Sequence, residues 1–492
     1  MKDIIGSITL TDLLTNGKIG PMTKATIARP KRARNALGGS PGRLTVRTFR
    51  SAVNYLNSLT NYERVVSAKY TPGNFGLARM NRILAVLGNP HKSWKSVHIV
   101  GTKGKGSTTA MVAEMIRGCG IKVGMYTSPH VLNIRERIVV DGQMISESEF
   151  AAAVGHVASV TRRAKVPEPT YFEVLTAAAF YYFSEHGIDI AVLEAGMGGR
   201  LDSTNVVTPE VVGITSISRD HVAQLGRDLP SIAREKAGAI KKGVPVVSAA
   251  QDPAVREVIR AAAEEAGSSL RFADEDADFT YRFEFSRAVG RHARICLTTP
   301  NSKFEHLHVP LPGEHQAMNC ALALGLVDTL KARGMEIDDQ AAMAGLANVE
   351  LPGRMQMICE EPRVLVDGAH NAASVDALMR AIGQNITYDS MVVIFGCQKD
   401  KDIPGMIRRL QLGADKIIFT GTGSPRSAEP AELAAAYAEH SGKMCQVAGS
   451  LEDAMQIALA AVSREDLICV TGSFYLVAEA MRKFGVASLK RV

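Results

Sequence analysis

The stretch Gly101-Thr102-Lys103-Gly104-Lys105-Gly106-Ser107-Thr108 contains the residue types that phosphate chemistry needs. Glycines let backbone N–H groups turn inward around an anion, and a helix that follows adds the partial positive charge of its N-terminus. Lys105 has the reach for terminal phosphates, and the hydroxyls of Ser107 and Thr108 stand where a phosphate-bound metal would lie. The spacing departs from GxxxxGK[ST]: Ile99 takes the place of the first glycine, and Gly106 follows the lysine. Context makes nucleotide binding the expectation, because a buried strand over 97–101 precedes the loop and a helix with an apolar face over 104–118 follows it. The loop alone does not separate a ligase from a kinase or a GTPase.

Other polar residues stand at telling places but read plainly in isolation. Glu194 ends the apolar run 188–193 and could be a capped or solvated carboxylate. His221 reads as a hydrogen-bonded loop histidine, Lys236 as a surface helix lysine, and Tyr171 and Phe172 as core aromatics.

The elements that must position these residues alternate. Strands are expected over 97–101, 121–126, 188–193 and 211–215, with helices over 104–118 and 175–183 between them. That order predicts an α/β fold, a doubly wound, mostly parallel sheet. Residues 271–310 switch to a period of two, which predicts a small antiparallel β segment. A helix over 315–333 follows, and Leu351-Pro352-Gly353-Arg354 reads as a boundary. Beyond it, buried strands over 364–366, 391–395, 416–420 and 467–471 predict a smaller Rossmann-like α/β domain. The division expected is a basic flexible extension (1–48), a central ATP-binding domain (49–348), a linker (349–355) and a C-terminal domain (356–492).

Composition narrows the class. The 492 residues exceed what one core usually organises. No apolar run reaches membrane-spanning length, and the N-terminus lacks the pattern of a secretory leader, so a cytoplasmic protein is expected. The seven cysteines are scattered without a CxxC pair, which points to reduced thiols rather than a zinc site. The net charge of +7 is local: eight basic residues and no acid lie between Lys24 and Arg50, leaving −1 for the rest. A solvated arm is the expectation there, since no aromatic stacking pattern for nucleic acid accompanies it.

Several motifs occur in order over about residues 50–485: the loop, Thr127-Ser128-Pro129-His130-Val131, Arg135-Glu136-Arg137, Thr170-Tyr171-Phe172-Glu173 and LEAGMGGRLDSTN at 193–205. Asp220-His221, Glu235-Lys236-Ala237-Gly238, Gly313-Glu314-His315-Gln316 with Asn319, Pro352-Gly353-Arg354, Asp367-Gly368-Ala369-His370-Asn371 and Thr471-Gly472-Ser473-Phe474 follow. Together they resemble the folylpolyglutamate synthase/dihydrofolate synthase family of the Mur ligase superfamily. Lys103 stands where many members have Asn.

The resemblance implies an ATP-dependent ligase. ATP phosphorylates a folate or dihydropteroate carboxylate, and the amine of L-glutamate displaces phosphate from the acyl phosphate. It implies ATP on Gly104, Lys105, Gly106, Ser107 and Thr108, with Asn319, Arg354 and Asp367 also touching the nucleotide. It implies one or two Mg²⁺ ions on Ser128, Glu194, His221 and Lys236, the lysine carried as a carbamate. Lys105, Lys236, His221 and His370 take catalytic roles, His370 near the glutamate. The pterin-bearing substrate is expected near Gly76, Leu77, Ala78 and Arg79, near Thr170, Tyr171, Phe172 and Glu173, and near Leu201, Asp202 and Ser203. A monomer without membrane or nucleic-acid partners is expected. The competing readings are a muramyl-peptide-type ligase and a non-ligase P-loop ATPase. No UDP-binding domain is read ahead of the loop, which disfavours the first.

Overall fold

A computed structural model describes residues 46–63, 71–220, 222–275, 278–286, 290–299, 301–309 and 312–484. The first sheet contains β1 (Lys95–Val100), β2 (Val123–Tyr126), β3 (Ile138–Val140), β4 (Gln143–Met144), β5 (Ile190–Glu194), β6 (Val211–Ile214), β7 (Val246–Ser248) and β8 (Leu270–Phe272). Their order is β4-β3-β2-β5-β1-β6-β7-β8. β2, β5, β1, β6, β7 and β8 run parallel, and β3 and β4 close one edge antiparallel. Helices cover both faces, so β5 and β6 are buried at every position and read as unbroken apolar runs up to Glu194.

This order places the site. β1 lies between β5 and β6, so the turns after all three open side by side, where sheets of this kind bind ligands. Ile99 pairs with Glu194 and Val100 with Ile214, which brings the loop after Val100 level with the Glu194 carboxylate.

The helix Lys105–Gly118 packs on the sheet beside the helix Glu314–Ala332, which lies on β6 and β7. Its far end meets the helix Asp339–Leu346 backbone to backbone. A Cβ on Gly345 would lie 2.2 Å from the Glu114 carbonyl oxygen, and one on Gly118 would lie 2.5 Å from that of Ala341.

The antiparallel segment forms its own sheet, β9 (Asp278–Ser286), β10 (Gly290–Thr298) and β11 (Lys303–Val309). A third sheet holds β12 (Gln356–Glu360), β13 (Arg363–Asp367), β14 (Met391–Phe395), β15 (Lys416–Phe419), β16 (Gln446–Val447) and β17 (Leu467–Thr471). Its order is β12-β13-β17-β14-β15-β16, parallel apart from β12.

The fold is thus the expected α/β architecture, with four more strands in the first sheet than periodicity suggested. β3, β4, β7 and β8 are only two or three residues long, too short to display a period. Most of the expected basic extension, residues 1–45, lies outside the described residues. Its end is joined to the folded body. Thr48 closes a capping box on the helix Phe49–Ser58, and Val46 and Phe49 pack beside buried Ala52 and Leu56. Burying a leucine contributes about 1.5–3 kcal/mol, enough to anchor this turn. Among the described residues no helix is long and apolar enough to cross a membrane.

Candidate active site

The loop between β1 and the helix Lys105–Gly118 is shaped by what crowds it. Gly101 and Gly104 have φ of 146° and 85°. A Cβ on Gly104 would lie 2.0 Å from Asn319 Oδ1, and one on Gly101 would lie 1.8 Å from Thr215 Oγ1. The amides of Thr102 and Lys103 both donate to the Ser216 carbonyl, at 3.0 and 3.1 Å. The first intrahelical bond runs from Thr108 N to Gly104 O, and no side chain caps the helix. The amides of Lys105, Gly106 and Ser107 are therefore left for an anion, with no acid in the first turn to compete. Lys105 Nζ donates to the Thr102 carbonyl at 3.4 Å, and the buried hydroxyl of Thr108 has no hydrogen-bond partner among the described residues.

Glu194 and Arg354 close around this N-terminus. A Cβ on Gly106 would lie 3.4 Å from Glu194 Oε2 and 3.6 Å from Arg354 Nη2. The buried Glu194 carboxylate accepts the Ser128 amide at 2.9 Å. Burial pushes its pKa up, against the pull of Lys105, the Ser128 amide and Arg354. Arg354 stacks over Phe474, 5.1 Å from the ring centroid. Asp367 accepts the amides of Met355 and Ala369 at 2.9 and 2.8 Å, which pins the turn carrying Arg354, and burial raises its pKa too.

Lys236 is not on the surface. It is 4% exposed near the end of the helix Leu229–Ala237, and Nζ donates to the Gly101 carbonyl at 2.5 Å. Burial and then Lys105 lower its pKa to about 7, with Asp220 and Asp202 opposing. The run at 193–205 receives this helix end. A Cβ on Gly199 would lie 2.7 Å from the Lys236 carbonyl oxygen, and Asn205 Nδ2 donates to the Gly238 carbonyl. His221 lies outside the described residues, so Ser128 and Glu194 are the expected metal ligands seen together. Among the described residues no three His, Cys, Asp or Glu side chains form a metal-binding group.

The residues expected near the pterin form a second cluster. The helices Leu77–Val86 and Tyr171–Glu185 pack on each other and on the turn Ser203–Val206. Arg79 Nε donates to both oxygens of Glu173, which also accepts the Thr170 amide in a capping box. Asp202 accepts from Met197 N, Thr204 N and Thr204 Oγ1. Thr170, Tyr171, Glu173, Leu201 and Asp202 are buried, whereas Gly76, Leu77, Ala78, Arg79, Phe172 and Ser203 keep open surface. Phe172 packs against Gly196, where a Cβ would lie 2.7 Å from the ring.

Loops of the third sheet meet the first. His370 Nδ1 donates to the Gly368 carbonyl at 2.8 Å, and burial, then Lys103 and Lys401, lower its pKa to about 3, so the ring is neutral. Lys401 lies 3.7 Å from Asp220, and Arg426 donates to the Glu63 carbonyl at 3.2 Å and to Asp400 at 2.6 Å. Glu63 in turn holds the fully buried Arg137 through both oxygens, and Arg137 Nε donates to His130 Nδ1. Sequence reasoning assigned no site role to Glu63, Arg137, Lys401 or Arg426. Lys401 sits in Gln398-Lys399-Asp400-Lys401-Asp402, which reads as a solvated charge run.

Residues 99–327 match the Mur ligase middle domain and residues 353–474 the Mur ligase glutamate ligase domain. The dihydrofolate synthase/folylpolyglutamate synthase of Bacillus subtilis is 35% identical, over 83% of this chain and 94% of that protein. Its Escherichia coli namesake is 33% identical, over 83% and 91%. Mycobacterium tuberculosis folylpolyglutamate synthase complexed with ADP is similar at a TM-score of 0.80 and 32% identity, over 89% of this chain and 98% of that one. Escherichia coli FolC in complex with DHPP and ADP has a TM-score of 0.76 and 30% identity, over 88% and 97%. An open helix N-terminus with its lysine, a buried strand-end carboxylate and an arginine from the turn ahead of the third sheet meet in a chain that matches these enzymes along nearly their whole length. The chain is an ATP-dependent ligase and belongs to the folylpolyglutamate synthase/dihydrofolate synthase family of Mur ligases.

Proposed function

We propose that this enzyme joins L-glutamate to the carboxylate of a folate or a dihydropteroate through an acyl phosphate. The observation that carries the reading is the uncapped N-terminus at Gly104, with Lys105, Glu194 and Arg354 gathered around it. A carboxylate oxygen takes the terminal phosphoryl group and ADP leaves. The glutamate amine then attacks the acyl carbon, loses its proton to solvent and displaces phosphate. The amides of Lys105, Gly106 and Ser107 and the Lys105 ammonium hold the phosphates. Preorganised donors of this kind are worth several kcal/mol in the transition state. Asn319, Arg354 and Asp367 complete the nucleotide contacts, with Asp367 acting through the turn that presents Arg354.

The donors suit Mg²⁺. Glu194 keeps lone pairs beyond the single Ser128 amide, and Mg²⁺ prefers oxygen. Ser128, Glu194 and His221 would hold one ion, and Lys236 as a carbamate would hold a second. Bound there, the metal would neutralise charge on the transferring phosphoryl group. Carbamate formation needs a neutral amine, which attacks CO₂ as its proton leaves to solvent. The pKa of about 7 at buried Lys236 supports that chemistry.

The open surface of Gly76, Leu77, Ala78, Arg79, Phe172 and Ser203 would receive the pterin. Thr170, Tyr171, Glu173, Leu201 and Asp202 build the wall behind them, and His370 would face the glutamate. We take 49–348 as the central domain, 349–355 as the linker and 356–492 as the C-terminal domain, in a monomeric, cytoplasmic enzyme. The three sheets fall within those bounds, which supports the division.

The test is ADP release with ATP, Mg²⁺ and L-glutamate, adding dihydropteroate, tetrahydrofolate or a UDP-muramyl acid in parallel. Release that requires both glutamate and a pteridine acid is expected, and the first two arms show which substrate is preferred. Release driven by the muramyl acid, or without glutamate, would overturn the reading.

A further inference from the structure

Cations around the cleft are mostly committed. Arg79 pairs with Glu173, Arg137 with Glu63, Arg426 with Asp400 and Lys401 with Asp220. Lys105 and Lys236 each donate to a loop carbonyl. Lys103 differs: its Nζ is buried and has no hydrogen-bond partner among the described residues. Its amide is already spent on the Ser216 carbonyl, so its backbone takes no part in a phosphate cradle. Its charge is felt by Asp367 and His370 of the third sheet, and it lies within the fields of Asp220 and Lys401. Lys103, Lys401, Lys105 and Arg354 there outnumber the carboxylates of Asp220 and Asp367, beside a neutral imidazole.

We infer that Lys103 binds a carboxylate of the incoming amino acid, at the seam where loops of the first and third sheets meet. This rests on the glutamate-ligase reading above and names a residue for its second substrate. The phosphates already have the helix amides and Lys105. An amino acid with two carboxylates needs further positive charge on the side of His370, and Lys103 supplies an ammonium there with no hydrogen-bond partner among the described residues. Burial lowers its pKa to about 8, so it is still mostly protonated near neutrality, and an arriving anion would hold the proton in place.

The experiment compares wild type with Lys103→Met and Lys103→Arg, measuring KM for glutamate and for ATP, and kcat. Loss of a charge-assisted bond predicts a glutamate KM raised about tenfold or more in Lys103→Met, with the KM for ATP and kcat at saturating glutamate changed by less than about threefold. Lys103→Arg should recover much of the loss. Glutamine and isoglutamine, each lacking one carboxylate, identify the group that is read: with one of them, wild type and Lys103→Met should behave alike. A KM for ATP that rises in step with that for glutamate, an unchanged glutamate KM, or a tenfold gap surviving with both amides would overturn the inference. Lys103→Gln replaces Lys103→Met if the methionine variant fails to fold, with the same readings required. A wild-type enzyme whose ADP release ignores glutamate defeats the functional reading first, and this inference with it.

Discussion

Glu194 and Asp202 are buried carboxylates eight residues apart, yet the chain uses them differently. Asp202 accepts two backbone amides and a hydroxyl, and Glu173 beside it is engaged by a capping amide and Arg79. Glu194 accepts one amide, and Lys103 nearby has no hydrogen-bond partner among the described residues. On the pterin side, the buried carboxylates are saturated and hold the scaffold's turns. On the phosphate side, they are left short. Buried charges are normally paired, so charged groups left short beside an open helix N-terminus mark where a ligand supplies the missing partners.

Four outcomes would break or sharpen this contrast. The largest effect is expected at the under-satisfied pole. Lys105→Ala and Glu194→Gln should each lower kcat about a thousandfold or more at saturating ATP, as removal of a preorganised charge does. Neither should lower the melting temperature, and near-normal turnover would dissolve the contrast. Lys236→Ala should slow ligation about a hundredfold or more while ADP still binds, because the proposed metal ligand is lost and the phosphate loop remains. Calorimetric titration with ADP beside turnover, with and without bicarbonate, separates that result from a collapsed loop.

At the saturated pole the sign of the defect changes. Asp202→Asn puts a donor where three donors point, which should cost about 1–3 kcal/mol of stability. Denaturant melts should show the loss, with kcat in the remaining folded protein close to wild type. The smallest effect concerns Lys103 without ligand. Its folded pKa of about 8 lies below the ordinary 10.5, so between those values the unfolded chain binds the extra proton and stability rises with pH. Below that window the penalty for burying the charge is fully present. Lys103→Met should therefore melt above wild type at pH 7, and the gap should narrow by pH 9.5. A gap that widens with pH would show that Lys103 is paired in the free enzyme.

The sequence exposed the fold wherever an element was long or buried on both faces, as with β5, β14 and β17. It hid the two- and three-residue strands at the sheet edge. The phosphate loop was legible because its glycines and lysine have a local reason to be adjacent. Lys236 was not legible from its own neighbours. Its burial depends on Gly199, some forty residues earlier, letting a helix end approach within contact distance, and nothing local encodes that approach. Lys401 and Arg426 were hidden for a related reason. Each looks solvated in its own segment, and its partner across the cleft, Asp220 or the Glu63 carbonyl, is gained only when loops of two sheets meet.

The glycine contact at the far end of the phosphate-binding helix has a mechanical consequence. The helix is 14 residues long, so its ends lie about 20 Å apart. At one end three amides await phosphate. At the other, Gly345 leaves no room between its own backbone and the Glu114 carbonyl. The helix is therefore a strut braced at its foot. A methyl group at position 345 would push it along or away from its axis and carry the waiting amides off their anion, so the tightness of the nucleotide grip is set partly by a residue that no ligand ever touches.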